Sequence, residues 1–262
     1  MSRRRLPRMT ETSTEIRVLP VPGIGEVRPG DNVAELLLEA LSRAGLQVAE
    51  GDVLVIKHKI ISKAEGRIVA LDSVQPSAQA AEWAARYQLD ARVVELALRE
   101  SSRIVRQENG ILITQTRHGL VCANSGVDLS NVDGGRSAVL LPEDPDRSAA
   151  ELRRRLHERL RLLLAVIISD SFGRPWREGL CEVAIGVAGL LPLLDYRGGH
   201  DSRGYKLHAS VEAVADELAC AAGLVCGKLT DTPACIIRGF RFSPGEGRAT
   251  QLVRPASRDL FR

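Results

Sequence analysis

Residues 165–179 read AVIISDSFGRPWREG (Ala165–Gly179). Ala165 to Ser169 is a short unbroken apolar run, the pattern of a strand buried on both faces. The run breaks at Asp170, and Ser171, Phe172 and Gly173 follow at once, before a proline and further charges. A carboxylate and a hydroxyl at the end of such a strand suit a plain turn, or half of a site for a hard cation.

Working outward, strand and helix signals alternate. Upstream, Ser148-Ala149-Ala150-Glu151 has the form of a capping box. The helix it predicts carries Leu152, Leu156, Leu160 and Leu163 on one face and feeds the strand. Downstream, Cys181–Leu191 is apolar and glycine-rich, a further strand; a helix is predicted over Val211–Ala222 and a strand over Ala234–Arg238. Nearer the N-terminus, Ile16–Val18 is a short strand and Val33–Ala44 a helix, with Asp31 or Asn32 as cap and Gly45 as stop. Asp52–Lys57 reads as a buried strand, and Ile60–Val69 is mixed, interrupted by Gly66. Two helices fit between Ser77 and Ser101, with Asp90 capping the second. Ile111–Thr116 and Leu120–Ala123 form a hairpin around Arg117-His118-Gly119. The alternation gives α/β, or α+β with mixed sheets. No repeat or long linker interrupts it, and the Gly/Pro/Asp-rich piece 133–146 is the best place for a boundary between two lobes.

Composition narrows the function. The 262 residues are 44% hydrophobic but only 3% aromatic, so the core is aliphatic and a base-stacking nucleic-acid surface is disfavoured. With 36 basic and 33 acidic residues the net charge is +3, which suggests no bulk polyanion as partner. Part of the excess lies in MSRRRLPR, read as a disordered basic tail over residues 1–14. No apolar stretch follows those arginines and no 18-residue apolar window exists, so no targeting segment and no membrane span are expected. Five cysteines without a C-x-x-C pair read as small buried hydrophobes in a reducing cytoplasm.

Three glycine-rich or basic loops bear on ligands. Pro22-Gly23-Ile24-Gly25 has two glycines of a dinucleotide fingerprint, but Arg28 stands in place of the third and no helix follows. Gly223 to Thr230 resembles a phosphate loop, yet the glycine gap is one residue short and Leu229 replaces the magnesium-binding hydroxyl. Lys57, Lys59 and Lys63 leave the buried strand together in KHKIISKAEG; they form either a solvated loop or a collector of phosphate charge. The acidic positions are Asp128, in ANSGVDLSNV, and Asp170. An Asx-turn accounts for each alone. Two carboxylates beside hydroxyls also suit magnesium, which takes one or two carboxylates and completes its shell with substrate phosphates.

Taken in order, LPVPGIGEVRPGDN, GDVLVIKHKIISKAEGR, ANSGVDLSNV, LLPEDPDRSAAELRRRL, VIISDSFGRPWREG, AIGVAGL, VADELACAAGLVCGKLTDTP and IIRGF resemble the coenzyme F(420)-0:γ-glutamyl ligase family, from about Val18 to Phe240. The resemblance implies a family-specific α/β fold, neither Rossmann nor P-loop. It implies a single ligase unit over residues 15–255 with a short tail at 256–262. The implied activity joins L-glutamate to coenzyme F(420)-0 with GTP, through an acyl phosphate, in a homodimer. Magnesium or manganese would be required, with potassium a further candidate ion. Residue by residue, Pro22, Gly23, Ile24, Gly25, His58, Lys63, Asn131, Gly227 and Lys228 match nucleotide-binding positions, and Asp128, Asp170 and Ser171 match metal-binding ones. His58 stands where relatives usually carry a small hydroxyl residue. Lys228 stands near a position where some relatives supply an acidic metal ligand. A ligase for another carboxylate cofactor precursor and a non-catalytic GTP- or metal-binding regulator are the alternative readings.

Overall fold

The structure, a computed structural model, describes residues 15–259; the expected basic tail and the last three residues lie outside the described residues. The strands are β1 (Arg17–Pro20), β2 (Val53–Lys57), β3 (Ile68–Ala70), β4 (Ser101–Glu108), β5 (Ile111–Thr116), β6 (Val121–Ala123), β7 (Ser137–Val139), β8 (Ala165–Arg174), β9 (Arg177–Ala188), β10 (Leu194–Asp195), β11 (Val211–Glu212) and β12 (Ala234–Arg238). The α-helices are α1 (Val33–Arg43), α2 (His58–Ala64), α3 (Ala78–Tyr87), α4 (Ala91–Arg99), α5 (Pro145–Leu160) and α6 (Val214–Cys226).

The central sheet has the order β1-β12-β2-β8-β9. Only its β2–β8 pair is parallel; the other neighbours are antiparallel. Continuous aliphatic runs make sense here because the sheet is covered on both faces. Leu54, Ile56, Val166, Ile168 and Ile236 pack with α1, α2 and α5 on one side. Val53, Val55, Ile167, Cys235 and Ile237 pack with α6 on the other. The alternate residues of each strand thus serve opposite cores. Beside this sheet lie the β4-β5-β6 sheet and the β3–β7 pair, the latter using residues 137–139. The mixed-sheet α/β class expected from the sequence is therefore what forms. No helix among the described residues is long and apolar enough to cross a membrane.

Several local expectations are corrected. The capping box does not start α5. That helix begins at Pro145, capped by Asp144, which accepts from the Arg147 amide at 3.0 Å. A proline at the first helical position is already suited to helix entry, so the Asp-Pro step wins over Ser148. Ser148 donates to the Asp144 carbonyl and to Glu65, and Glu151 pairs with Arg154 and Arg155. The helix predicted from Val211 starts at Val214, because Val211 and Glu212 pair with β10. The mixed segment Ile60–Val69 is helix α2 up to Ala64 and, beyond Gly66, the start of β3. β8 does not end at Asp170 either; it runs on to Arg174 and turns back through Pro175 and Trp176 into β9.

Asn32 caps α1 by accepting from the Ala34 amide at 3.2 Å. Asn32→Ala leaves that amide unpaired, and is expected to cost about 1 kcal/mol, read as a lower denaturant midpoint with an unchanged slope.

Candidate functional site

β2 and β8 run side by side in the same direction, and Lys57 lies opposite Ser169 where β2 ends. In open α/β sheets the crevice beyond the carboxyl ends of parallel strands is where ligands gather. The pleat then sorts the side chains. Ile168 belongs to the α1/α5 face, and Asp170, two residues on, shares it. Ser169 and Ser171 share the α6 face with Lys57.

On the first face, Asp170 Oδ1 lies 3.3 Å from His58 Nε2 and accepts the Ser171 amide at 2.7 Å. Burial pushes this carboxyl up, but His58 and the amide outweigh it and hold it below the ordinary range, against the push of the nearby Asp128 charge. Asp128 forms the Asx-turn, accepting from the Ser130 amide at 2.6 Å, and also takes the Lys59 ammonium at 2.8 Å. Burial raises its pKa, and the Lys59 and Ser130 hydrogen bonds more than offset that. The two carboxylates therefore both stay ionised at neutral pH while close enough to feel each other. The same field, with burial as the larger cause, pushes the Cys122 thiol up to about 12, so it is no nucleophile.

The second face holds a residue that the motif reading passes over. Glu182, opposite Ser171 on β9, is 8% exposed. Its Oε1 receives both the Lys57 ammonium and the Ser171 hydroxyl, the latter at 2.6 Å, and its Oε2 receives the Ser169 hydroxyl at 3.0 Å. Lys228 donates to Ser171 Oγ at 2.8 Å. The register shift between Ile168 and Ser169 adds one residue to β9, and this sets Glu182 opposite Ser171. Above it, Gly223 interrupts α6, at a helix cost of about 1 kcal/mol relative to alanine. A Cβ there would lie 2.7 Å from Glu182 Cγ, so the glycine makes room for the carboxylate. The readable signals were a single charge within the apolar run Cys181–Leu191 and a glycine inside a helix.

Between these groups and the loops opens a cleft of about 630 Å³. Gly25, Lys63, Asn131, Gly227 and Lys228, all expected near a nucleotide, line it together with Lys57 and Lys59. Four lysines thus line the cleft. Lys63 is only 6% exposed and is held by Glu26 at 2.6 Å. Gly227, with φ 48° and ψ −168°, ends α6 in a conformation that strains any residue with a Cβ, which turns the chain sharply into the cleft. The other nucleotide-side candidates are not on the lining. Pro22 and Gly23 are exposed in the preceding loop and Ile24 is core. His58 is 2% exposed, with Nδ1 3.2 Å from Ser62 Oγ and Nε2 facing Asp170, so the structure places it behind the carboxylate, away from the cleft surface.

The F420-0:gamma-glutamyl ligase family model matches residues 23–239. The chain belongs to that family. The match takes in the cleft and every candidate residue except Pro22, which immediately precedes it. A relative named coenzyme F420:L-glutamate ligase from Methanopyrus kandleri is 47% identical, over 94% of this chain and 98% of its own. The ligase of that name from Methanothermobacter thermautotrophicus is 46% identical over 94% and 99%, and the one from Archaeoglobus fulgidus 39% identical over 94% and 96%.

For a divalent cation in this ligase family member, the donors divide into two groups. Asp170 on one face of β8 and the nearby Asp128 offer carboxylates, and Ser171 offers a hydroxyl on the other face of β8. Among the described residues no three His, Cys, Asp or Glu side chains gather as an all-protein cage. Hard oxygen donors in small number fit magnesium or manganese, whose remaining positions go to water and phosphate oxygens, and not a thiolate- or imidazole-seeking metal.

Proposed function

We propose that this protein is a coenzyme F(420)-0:L-glutamate ligase that consumes GTP, with magnesium or manganese and with potassium as a further candidate ion. The observation that carries the reading is a cleft lined by four lysines, two of which hold candidate cation ligands: Lys59 pairs with Asp128 and Lys228 donates to Ser171, next to Asp170 at the end of β8. The names of relatives aligned over nearly the whole chain support the substrate pair. Residues 15–255 act as a single ligase unit, and the working form is a homodimer.

A carboxylate acylates an amine only after its oxygen has become a leaving group. The terminal carboxylate of coenzyme F(420)-0 attacks the γ-phosphorus of GTP, giving an acyl phosphate and GDP. The amine of L-glutamate then attacks the acyl carbon, phosphate departs, and the nitrogen gives up a proton as the amide forms. Such a transfer needs position and charge neutralisation more than covalent help from the protein. Lys57, Lys59, Lys63 and Lys228 give their remaining ammonium protons to phosphate oxygens while keeping their internal partners. The Pro22–Gly25 loop and Asn131 border the nucleotide, and Gly227 positions Lys228. Asp128, Asp170 and Ser171 would hold a divalent cation, which would supply charge neutralisation to the phosphates. His58 keeps Asp170 in place.

Purified protein with coenzyme F(420)-0, GTP, L-glutamate and manganese is expected to yield a deazaflavin heavier by one or more glutamyl units, with one GDP released for each. GDP release without glutamylated product would overturn the substrate assignment. Neither product, with GTP or with ATP, would overturn the ligase reading.

A further inference from the structure

Glu182, 8% exposed, is a carboxylate beside the cleft that bonds two different parts of the site at once. Its Oε1 carries Lys57, which lines the cleft, and also receives the hydroxyl proton of Ser171 at 2.6 Å. A serine hydroxyl has one proton to give and two lone pairs to offer. With the proton committed to Glu182 and one lone pair taken by Lys228 at 2.8 Å, the remaining lone pair can only accept. A hydroxyl whose proton is free to rotate presents hydrogen to a cation part of the time, and one fixed as an acceptor does not. Ser169, on the other carboxylate oxygen at 3.0 Å, and Gly223, which leaves room for the Cγ, hold Glu182 itself in place.

We propose that Glu182 is a positioning residue: it fixes the Ser171 oxygen as a cation acceptor and anchors the Lys57 ammonium at the cleft wall. The inference rests on the ligase reading for its consequence in turnover, but its first consequence is in cation binding. Groups that orient metal ligands commonly alter metal affinity by about ten- to a hundredfold when replaced.

Glu182→Gln keeps the size of the side chain but can present an amide proton to Ser171 and loses the charge that holds Lys57. Free Mn2+ measured by electron paramagnetic resonance, with the full chain and GDP, is expected to show affinity weakened by about tenfold or more. Ser171→Ala is expected to weaken it similarly, and Ser171→Ala added to Glu182→Gln is expected to weaken it little further, because both remove the same oriented oxygen. In the ligase assay KM for GTP rises and the manganese needed for half activation rises with it. Should Glu182→Gln not fold, Gly223→Ala supplies the test. It favours the helix while pressing a methyl group on Glu182 Cγ, and is expected to weaken Mn2+ binding in a folded protein. Unchanged Mn2+ affinity in Glu182→Gln or Gly223→Ala, with only the melting temperature altered, would overturn the proposal and leave Glu182 a packing residue. Full additivity in the double variant would overturn it as well. A wild-type protein that binds Mn2+ in this Ser171-dependent way but makes no glutamylated product would remove the ligase reading and leave the role of Glu182 standing.

Discussion

Asp170→Asn is expected to lower ligase turnover by a hundredfold or more while the protein stays folded. The change removes one negative charge and almost no volume. Asparagine can still accept the Ser171 amide through its carbonyl oxygen, so the local hydrogen bond survives. What disappears is one of two carboxylates that stay ionised despite burial, which is the charge a cation and its phosphates would be drawn to. A loss of about 3 kcal/mol in transition-state stabilisation corresponds to a little over a hundredfold in rate. Initial rates at saturating magnesium, with circular dichroism as the control for folding, test it. Wild-type turnover in the variant would remove Asp170 from the cation site. Asp128→Asn, at the more exposed carboxylate of the two, is the natural companion measurement.

Gly186→Ala is expected to have the largest effect on stability. Gly186 lies on β9 beside the register shift, where the first turn of α5 presses on the sheet. A Cβ at Gly186 would stand 2.6 Å from the carbonyl carbon of Pro145 and closer still to its oxygen. These are backbone atoms, so no side chain can rotate away. Either α5 or β9 must move, and both carry core residues: Ala149, Leu152 and Leu156 on the helix, Ile185 and Ala188 on the strand. Overpacking of this kind costs about 3 kcal/mol or more where the backbone cannot yield. For a chain of this length that lowers the melting temperature by roughly 6–12 °C. A melting temperature within about 2 °C of wild type would mean that the α5–β9 contact is soft.

Sequence legibility followed burial. β2 and β12 were readable because both their faces are covered, so every position but the last, Lys57 and Arg238, is apolar and the ends are abrupt. α1 and α4 were readable through their caps, Asn32 and Asp90, which bond the first helical amides as expected. β8 was read only as far as Asp170 because the apolar signal ends where the strand leaves the core. Hydrogen bonding to β9 continues through Arg174 regardless, and that pairing has no local signature. β4 was missed for a similar reason: none of its residues is fully buried and its order comes from β5. In the site, Asp128 and Asp170 were visible because each follows an apolar run. Glu182 was not, since its meeting with Ser171 depends on register across a bulge, and Lys57 reaches it from a strand more than a hundred residues earlier. His58 was placed on the nucleotide side by the family resemblance alone, since it stands at a matching position. Entering α2 at that point turns its ring inward, onto Ser62 and Asp170.

The alternation along β8 makes its length a fixed quantity. Ile167, Ser169 and Ser171 look toward α6, while Ile168 and Asp170 look toward α1 and α5. Inserting or deleting one residue between Ala165 and Asp170 would exchange the two sets, turning serines into an aliphatic core and isoleucines toward Glu182. The turn at Pro175 and Trp176 lies beyond this constraint and can lengthen or shorten freely. Variation in chain length among proteins built on this plan should therefore collect at the tip of the β8–β9 arm and spare its root.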